Sequence, residues 1–303
     1  MFEKKVKVLL SAYNGEKYIC DQIDSILAQS YKNIEIYVRD DGSTDKTLEQ
    51  LKTYTGNNRI HLLKGENVGF IHSFLELVKT SGDADYFAYS DQDDVWMPGK
   101  IRMAVDALEA QDNSLPLLYF SNYDFYDGNM NFQEHGKAPS IPPSFHNALV
   151  DCMPLGINSV FNKKACDSIR KNVPDKCCGH DWWTYILCAG TGKVIYENKP
   201  TVKYRRHEKN VSAGGMSFIK FQIWRFKKFF MNDYFKNVRE QTKEFARLYG
   251  KGLKPEDKKL LVLFLNETYS FKNAVKRALY PKRFRRSFVD ECLVRFLFLI
   301  GKL

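Results

Sequence analysis

The sequence lacks the features of a secreted, disulfide-bonded or membrane-spanning protein. Its seven cysteines include no CxxC pair, so we expect reduced thiols. The first residues are charged and lead into a short apolar run instead of a secretory signal, so we expect a cytosolic protein. No apolar run reaches the roughly 18 residues that span a bilayer, and the sequence shows no internal repeat.

A glycine-rich dinucleotide turn is also missing. The first predicted strand, residues 6–10, is followed by SAYNG at residues 11–15 and not by GxGxxG. The glycines that let a backbone approach a pyrophosphate closely are absent from this turn. An oxidoreductase of Rossmann type is therefore disfavoured.

Positive charge is concentrated at one end of the chain. Residues 1–210 have 25 Lys and Arg against 28 Asp and Glu, a net charge of −3, whereas residues 211–303 have 21 against 8, a net charge of +13. We therefore expect a mildly acidic body and a cationic C-terminal region with a negatively charged partner. Aromatic residues alternate with Lys and Arg over residues 216–230, which is typical of a helix at an anionic membrane surface; nucleic acid is the alternative partner.

Strand-like and helix-like segments alternate along the body. Strands are predicted at residues 6–10, 34–38, 59–63 and 86–90, and helices at residues 16–29, 44–54, 70–79 and from Pro98 onward. This alternation predicts an α/β fold with a mostly parallel, right-handed βαβ sheet. Residues 124–147 contain Asn, Gly, Pro and His and predict a long loop that could shape an acceptor site.

Acidic residues follow two of the predicted strands. Asp40 and Asp41 come after the second strand, and Asp91 and Asp93 come after the fourth. Ligands of open α/β sheets bind beyond the carboxyl ends of the strands, so we expect these carboxylates on one rim. Two carboxylates one residue apart can hold Mg²⁺ or Mn²⁺ together with substrate phosphate oxygens. A solvated turn or a helix cap is the alternative interpretation of the pair.

Four short motifs occur in a fixed order: LSAYNG at residues 10–15, DDGSTD at 40–45, NVG at 67–69 and SDQDDVW at 90–96. Together they closely resemble the family 2 glycosyltransferases of GT-A fold. The motifs GHDWW at residues 179–183 and YRRH at 204–207 look like the rhamnosyltransferase-type branch of that family. The resemblance covers about residues 5–215 and implies a metal-dependent, inverting glycosyltransferase with a nucleotide-sugar donor.

The resemblance also implies the residues of the donor site, which are Ser11, Ala12, Tyr13, Asp40, Asp41, Asn67, Asp91 and Arg206. Tyr13 would stack on the base, while Asp41, alone or with Asp40, would accept the ring N–H of uracil or thymine. Arg205 and Arg206 are suited to phosphate oxygens because the guanidinium is a planar fork.

Asp93 would be the direct ligand of the Mg²⁺ or Mn²⁺ ion, and His207 would contact the metal or the diphosphate. Gln92 departs from the all-acidic versions of the motif, which makes Asp94 an alternative ligand. Asp181 would be the general base that deprotonates the acceptor hydroxyl. This role requires a carboxylate on the face opposite the leaving diphosphate and within hydrogen-bond reach of the attacking oxygen. Without the resemblance, an acidic residue at a helix start is the better explanation of Asp181.

We therefore expect a GT-A catalytic domain over residues 1–213 and a basic helical, membrane-associating region over residues 214–303. The favoured donor is dTDP-L-rhamnose, and the favoured acceptor is a lipid-linked glycan intermediate of a surface polysaccharide at the inner face of the cell membrane. A UDP-hexose such as UDP-glucose or UDP-galactose is the alternative donor. A nucleotide-binding protein without catalysis would need Asp41 but not Asp181, and nucleic acid is not an expected partner. The sequence does not predict an oligomeric state.

Overall fold

The structure, a computed structural model, describes residues 3–207, 234–265 and 269–303. These residues form two compact units. The first contains Met1–Ala138, Pro154–Val173 and Lys193–Arg205; the second contains Pro139–Met153, Pro174–Gly192 and Arg206–Leu303. Two short segments of the body, Pro139–Met153 and Pro174–Gly192, are thus counted with the C-terminal helices. The aromatic and basic segment at residues 216–230 lies outside the described residues.

The first unit is built on one mixed sheet. Its strands are β1 (Val6–Ala12), β2 (Ile34–Asp40), β3 (Ile60–Lys64), β4 (Tyr86–Ser90), β5 (Val95–Trp96), β6 (Leu117–Tyr126), β7 (Phe132–His135), β8 (Ser159–Asn162) and β9 (Lys193–Arg205). The order is β3-β2-β1-β4-β8-β6-β9-β5, with β7 paired to β6. The first four strands pair in parallel, as does β6 with β9, whereas β5, β7 and β8 pair antiparallel. The predicted α/β class is confirmed.

The described helices are α1 (Ile19–Leu27), α2 (Thr47–Thr53), α3 (Phe70–Thr80), α4 (Lys100–Glu109), α5 (Phe145–Ala148), α6 (Lys163–Lys171), α7 (His180–Thr191), α8 (Tyr234–Tyr249), α9 (Pro255–Phe264), α10 (Phe271–Ala278) and α11 (Phe288–Leu299). In α1, Ile19, Ile23 and Ile26 are spaced to share one helix face. All three are buried in the core with the inward side chains of β1 and β2. This packing fixes the helix that follows the first loop of the site.

Strand register brings several loops to one edge of the sheet. Leu10 lies opposite both Val38 and Ser90, so β1, β2 and β4 run side by side in the same direction. Their carboxyl ends therefore share one edge, and Asp41 and Asp91 are the first residues beyond two of these ends.

The long loop predicted for residues 124–147 is wrong in part. Strand β6 continues to Tyr126, β7 pairs with it, and α5 closes the segment. The hairpin turn is stabilised by the Asp127 carboxylate, which accepts hydrogen bonds from the backbone N–H groups of Asn129 and Asn131, each at 2.9 Å. An Asp that bonds backbone groups just ahead of it is a common turn device, so the same polar residues form a hairpin instead of an open loop.

The second unit has an aromatic core. Trp183 of α7 is fully buried and lies 6.3 Å from the rings of both Phe245 and Tyr249 in α8. Trp182 is also buried, and its indole N–H donates to the carbonyl of Ala148 at 2.7 Å. Both tryptophans therefore pack in the core of the second unit. In the described part of the chain, no helix is long and apolar enough to cross a bilayer. The seven cysteines are free thiols, as expected.

Candidate functional site

One side chain joins the loop after β1 to the loop after β4. Gln92 accepts a hydrogen bond from the backbone N–H of Tyr13 at 2.8 Å and donates its amide to the Tyr13 carbonyl at 3.0 Å. A Cβ at Gly15 would lie 2.2 Å from the Gln92 Oε1, so a larger residue there would displace the amide. The amide thus fixes the loop that follows Ser11 and Ala12 at the end of β1, while the Tyr13 ring remains 46% exposed.

The Asp41 carboxylate is held by the loop before α3. It accepts hydrogen bonds from the backbone N–H groups of Val68 and Gly69, each at 3.1 Å, and pairs with the Arg39 guanidinium. Gly69 has φ +81°, a conformation that favours glycine, and its N–H reaches both Asp41 and the Asn67 Oδ1. A carboxylate has about four acceptor positions, of which these donors occupy three, and Asp41 is only 2% exposed.

Asp40 and Ser11 differ in burial, since Asp40 is fully buried and Ser11 is half-buried. Asp40 has no exposed surface, and its carboxylate has no hydrogen-bond partner among the described residues. The Ser11 hydroxyl lies 2.6 Å from the hydroxyl of Ser73 on α3. Of the two adjacent carboxylates, Asp41 is therefore the one connected to the loops at the sheet edge.

The acidic loop, residues 91–94, lies between β4 and β5. Asp94 is buried, and its Oδ1 accepts the backbone N–H of Arg205 at 2.9 Å. Burial raises the pKa of Asp94 well above its ordinary value, and the charges of Asp93 and Asp91 raise this pKa further. Three carboxylates therefore lie close together, and only Asp94 is enclosed by the core.

Arg205, the last residue of β9, supports the acidic loop from within the first unit. Its guanidinium is 3% exposed and donates to the Asp93 carbonyl at 2.8 Å, the Gly128 carbonyl at 3.1 Å and the Asp21 carboxylate at 2.7 Å. It also stacks over the Tyr18 ring at 4.3 Å. Arg205 thus holds the acidic loop in place, contrary to the expectation that its guanidinium serves phosphate oxygens.

The acidic loop fits a cation that takes most of its ligands from the substrate. Among residues 3–207, 234–265 and 269–303, no group of three or more His, Cys, Asp and Glu side chains is arranged to hold a metal ion. Mg²⁺ and similar ions, however, commonly bind one or two protein carboxylates together with phosphate oxygens and water. Asp91 and Asp93, both partly exposed, meet this smaller requirement, whereas the buried Asp94 does not.

The remaining candidates belong to the second unit. Asp181 lies in the first turn of α7, is half-buried, and accepts the backbone N–H of Trp182 at its Oδ1 at 2.7 Å. The amino terminus of a helix stabilises a negative charge at this place. Arg206 and His207 follow β9 directly and are also counted with the second unit.

The structure thus gathers Ser11, Tyr13, Asp41, Asn67, Asp91 and Asp93 along one edge of the first unit, and it describes Asp181, Arg206 and His207 within the second. Sequence reasoning missed the roles of Arg39, Gln92 and Arg205. For Gln92, the signal available was an amide in place of a carboxylate inside an acidic motif. Arg39 and Arg205 are ordinary strand residues in the sequence, and nothing in their local pattern indicates their partners.

Comparison with known proteins identifies relatives of this chain. The sequence model of Glycosyl transferase family 2 matches residues 7–172. The dTDP-rhamnosyl transferase RfbG of Shigella flexneri is 30% identical over 224 residues, which cover 69% of this chain and 75% of that protein. The glycosyltransferase GlyG of Streptococcus pneumoniae serotype 4 is 30% identical over 163 residues, which cover 54% of this chain and 50% of that protein.

Solved structures share the fold at low sequence identity. The S. aureus TarS 1–349 structure in complex with UDP-GlcNAc is similar with a TM-score of 0.62 at 15% identity, covering 99% of this chain and 79% of that one. The mannosyltransferase PcManGT from Pyrobaculum calidifontis, in complex with GDP-Man and Mn²⁺, gives a TM-score of 0.53 at 16% identity, covering 99% and 86%. The predicted GT-A-like α/β fold is confirmed.

Proposed function

Because this chain belongs to glycosyl transferase family 2 and is therefore a glycosyltransferase, we propose that it transfers L-rhamnose from dTDP-L-rhamnose with inversion. The name of the Shigella relative supports this donor. The proposed acceptor is a lipid-linked glycan intermediate in surface polysaccharide biosynthesis. A UDP-hexose is the second candidate donor, because TarS, which has a similar fold, is in complex with UDP-GlcNAc.

The observation that carries the proposal is the fixed edge of the first unit, where Gln92 connects the acidic loop to the loop after β1 and Asp41 connects the end of β2 to the loop before α3. The exposed Tyr13 ring offers a flat face for stacking on the base, since aromatic rings stack in offset fashion. The remaining acceptor position of Asp41 suits the ring N–H of thymine or uracil. Asn67 lies beside Gly69 in the same loop and would contact the nucleotide.

The acidic loop would hold the diphosphate side of the donor. Asp93 would bind Mg²⁺ or Mn²⁺ directly, Asp91 would contact the ribose or support the ion, and His207 and Arg206 would contact the diphosphate or metal. When bound, the ion supplies positive charge that offsets the charge of the leaving diphosphate. The hydrogen bond from the Arg205 Nε to the Asp93 carbonyl supports the loop backbone at this position.

Asp181 would act as the general base. Its carboxylate would take the proton of the acceptor hydroxyl while that oxygen attacks the anomeric carbon. The bond between the acceptor oxygen and the anomeric carbon forms as the bond from that carbon to the diphosphate oxygen breaks. A β-linked donor would therefore give an α-linked product. The hydrogen bond from the Trp182 N–H orients the carboxylate for this step.

The second unit would place the enzyme at the inner face of the cell membrane. The basic loop, which we define as residues 279–289 and which includes the first two residues of α11, contains four Lys and Arg residues. In it Leu279, Phe288 and Val289 are 74%, 71% and 66% exposed. Exposed apolar side chains beside cations are typical of a surface that binds anionic lipid.

A donor panel tests the choice of sugar nucleotide. The purified chain is given dTDP-L-rhamnose, UDP-glucose or UDP-galactose with Mg²⁺ or Mn²⁺, and nucleotide diphosphate release is measured. We expect dTDP-L-rhamnose to be turned over at least about tenfold more efficiently than either UDP-sugar. A tenfold preference corresponds to about 1.4 kcal/mol, which one specific contact to the preferred donor can supply. No turnover of dTDP-L-rhamnose beside clear turnover of a UDP-sugar would overturn the choice.

Replacing Asp181 tests the base. We expect Asp181→Asn to bind dTDP with unchanged affinity in calorimetry and to lose turnover by about 100-fold or more, which is typical of removing a general base. Asp175→Asn is the matched control, since the Asp175 side chain is 83% exposed in the same unit. A retained kcat in Asp181→Asn would remove this residue from the base role.

A further inference from the structure

The basic loop (residues 279–289) is held rigidly within the second unit. The Glu291 carboxylate accepts hydrogen bonds from the backbone N–H groups of Phe284 at 2.8 Å and Arg285 at 2.7 Å. The side-chain amide of Asn147 donates to the Phe284 carbonyl from the other side. The loop backbone is therefore fixed between α11 and the segment around α5.

Two neighbouring arginines of this loop have different environments. Arg285 is buried with Asp151, and their side chains form an ion pair at 2.9 Å. Arg286 is 43% exposed; its Nε lies 3.5 Å from Asp151 and its Nη2 donates to the Cys152 carbonyl at 3.3 Å. Asp151 thus forms its shorter ion pair with Arg285. The Arg286 guanidinium is held in place by the Cys152 carbonyl and by a longer contact with Asp151.

The basic loop and the first turns of α7 are attached to the same short segment. Trp182, next to Asp181, bonds the Ala148 carbonyl at 2.7 Å. The Tyr185 hydroxyl donates to Asn147 at 2.7 Å, and Asn147 in turn bonds the basic loop. These contacts attach the loop that carries Arg286 to the first turns of α7, which also carry Asp181.

Electrostatics at Cys152 agree with this geometry. Burial raises the pKa of the Cys152 thiol well above its ordinary value; the Asp181 and Asp151 carboxylates raise it further, and the Arg286 guanidinium lowers it. The proposed base and the exposed guanidinium therefore both act on one residue. A group bound at Arg286 would lie on the acceptor side of the reaction, near the base.

We propose that Arg286 binds a phosphate group of the acceptor, so that the acceptor is a saccharide joined to a lipid through phosphate. This inference rests on the proposed function, since it takes Asp181 as the base. A guanidinium binds phosphate oxygens through two parallel N–H groups, which fixes orientation as well as affinity. The strongly exposed Leu279, Phe288 and Val289 of the same loop give the lipid side of such an acceptor an apolar surface.

The inference is tested by binding, without any need for turnover. The probe is octyl phosphate below its micelle concentration, titrated into the full chain and followed by ³¹P NMR, with octyl glucoside as the neutral counterpart. We expect Arg286→Gln to weaken octyl phosphate binding about tenfold or more, the effect of losing a charge-assisted hydrogen bond. Arg286→Lys should restore part of the affinity, and octyl glucoside binding should be the same in all variants.

The controls separate Arg286 from the general charge of the loop. Lys282→Gln removes an exposed cation of the same loop and should change the affinity less than about twofold, since exposed charges are screened. Equal losses in Lys282→Gln and Arg286→Gln, or no binding of octyl phosphate by the unmodified chain, would overturn the proposal.

Asp181→Asn links this site to the reaction. Removing the carboxylate should tighten octyl phosphate binding by about twofold to fivefold at low salt, because a repulsive charge near the phosphate is lost. Unchanged binding would place the phosphate away from Asp181 and overturn the acceptor assignment. The donor panel is a separate experiment, so a failure of the glycosyl-transfer proposal is distinguishable from a failure at Arg286.

Discussion

Gln92 places an amide where all-acidic versions of the motif have a carboxylate. The amide bonds both the N–H and the carbonyl of Tyr13, whereas a carboxylate could bond only the N–H. The Tyr13 peptide group presents one N–H and one carbonyl, and Gln92 bonds both. An amide both donates and accepts, whereas an ionised carboxylate only accepts. The change therefore removes one charge from the acidic loop and adds a fixed connection to the loop that carries the proposed base-stacking residue.

We expect both Gln92→Glu and Gln92→Ala to weaken binding of the donor nucleotide. Glu retains the bond to the Tyr13 N–H but sets a carboxylate against the Tyr13 carbonyl, and Ala loses both bonds. The dTDP dissociation constant measured by calorimetry should rise about fivefold to thirtyfold, which corresponds to about 1–2 kcal/mol for hydrogen bonds of this kind. Gln133→Glu, an exposed amide on β7, is the control. Unchanged affinity in both Gln92 variants would remove its positioning role.

Asp93 gives the test of the cation. We expect turnover to be lost in excess EDTA and restored by Mg²⁺ or Mn²⁺. We expect Asp93→Ala to lower turnover by about 100-fold or more at any cation concentration, because this variant lacks the proposed direct ligand. The exposed Asp112→Asn should behave as the unmodified chain. Full activity in EDTA would show that the cation role is wrong.

Individual residues differ in how far the sequence predicts them. Motifs with a fixed residue type and spacing predict Tyr13 and Asp41 as donor-site residues and Asp93 as a metal ligand. The partners of Asp41 could not be identified in this way, since Arg39 lies in an ordinary strand and the N–H of Gly69 is 28 residues away in sequence. Which buried groups meet across the sheet depends on strand order, which local pattern does not specify.

Among the elements, α7 combines the proposed base with a buried histidine. His180, its first residue, is 5% exposed, and burial lowers its pKa to about 4 although the Asp181 charge opposes the shift. An unfolded histidine has a pKa near about 6.5. Between these values the unfolded chain binds the proton and the folded chain does not, so folding stability is complete above about pH 6.5 and falls as the pH falls toward 4.

We expect His180→Gln to reduce this acid sensitivity. Between pH 7.5 and 4.5 the free energy of unfolding of the unmodified chain should decrease by about 2–3 kcal/mol more than that of the variant, the order expected for a fully buried histidine. Urea unfolding at the two pH values measures the difference. The exposed His72→Gln serves as control and should follow the unmodified chain. Parallel pH dependence in all three proteins would show that His180 is not the acid-sensitive group.

Local periodicity predicted the four parallel strands β1 to β4 and missed the later strands, including the parallel pair of β6 and β9. Strand β4 was predicted at its observed bounds, and α1 and α3 within a few residues, because each buries a face with a regular apolar period. Strands β5, β7 and β8 have two to four residues each. Segments this short have too few positions to show a period, and their pairing partners are distant in sequence. Such strands are stabilised by hydrogen bonds to neighbouring strands, and their own residues show no apolar period.

At the scale of the whole molecule, the proposed site residues are divided between two units that the sequence does not separate cleanly. The motifs proposed to bind the donor lie in the first unit, whereas Asp181, the proposed base, lies in the second together with the C-terminal helices. The charge distribution predicted a distinct cationic region, and the described part of that region carries exposed apolar side chains as well. The domain boundary placed at residues 213 and 214 stays a prediction, since residues 208–233 lie outside the described part.

The membrane contact can be tested on the full chain by flotation with vesicles. We expect binding to vesicles that contain anionic lipid, weaker binding as salt is raised, and little binding to neutral vesicles, because the cations act through screened attraction. The triple variant Leu279→Ser, Phe288→Ser, Val289→Ser should lower the partition coefficient about tenfold or more, since each side chain contributes on the order of 1 kcal/mol when buried in the interface. Phe132→Ser removes an apolar side chain that is 49% exposed in the first unit and should have no effect.

Residues 216–230 are unchanged in both variants, so retained flotation of the triple variant would show that residues 279–289 are not the membrane contact. Equal binding to neutral vesicles, or a preference for duplex DNA, would contradict the membrane proposal itself.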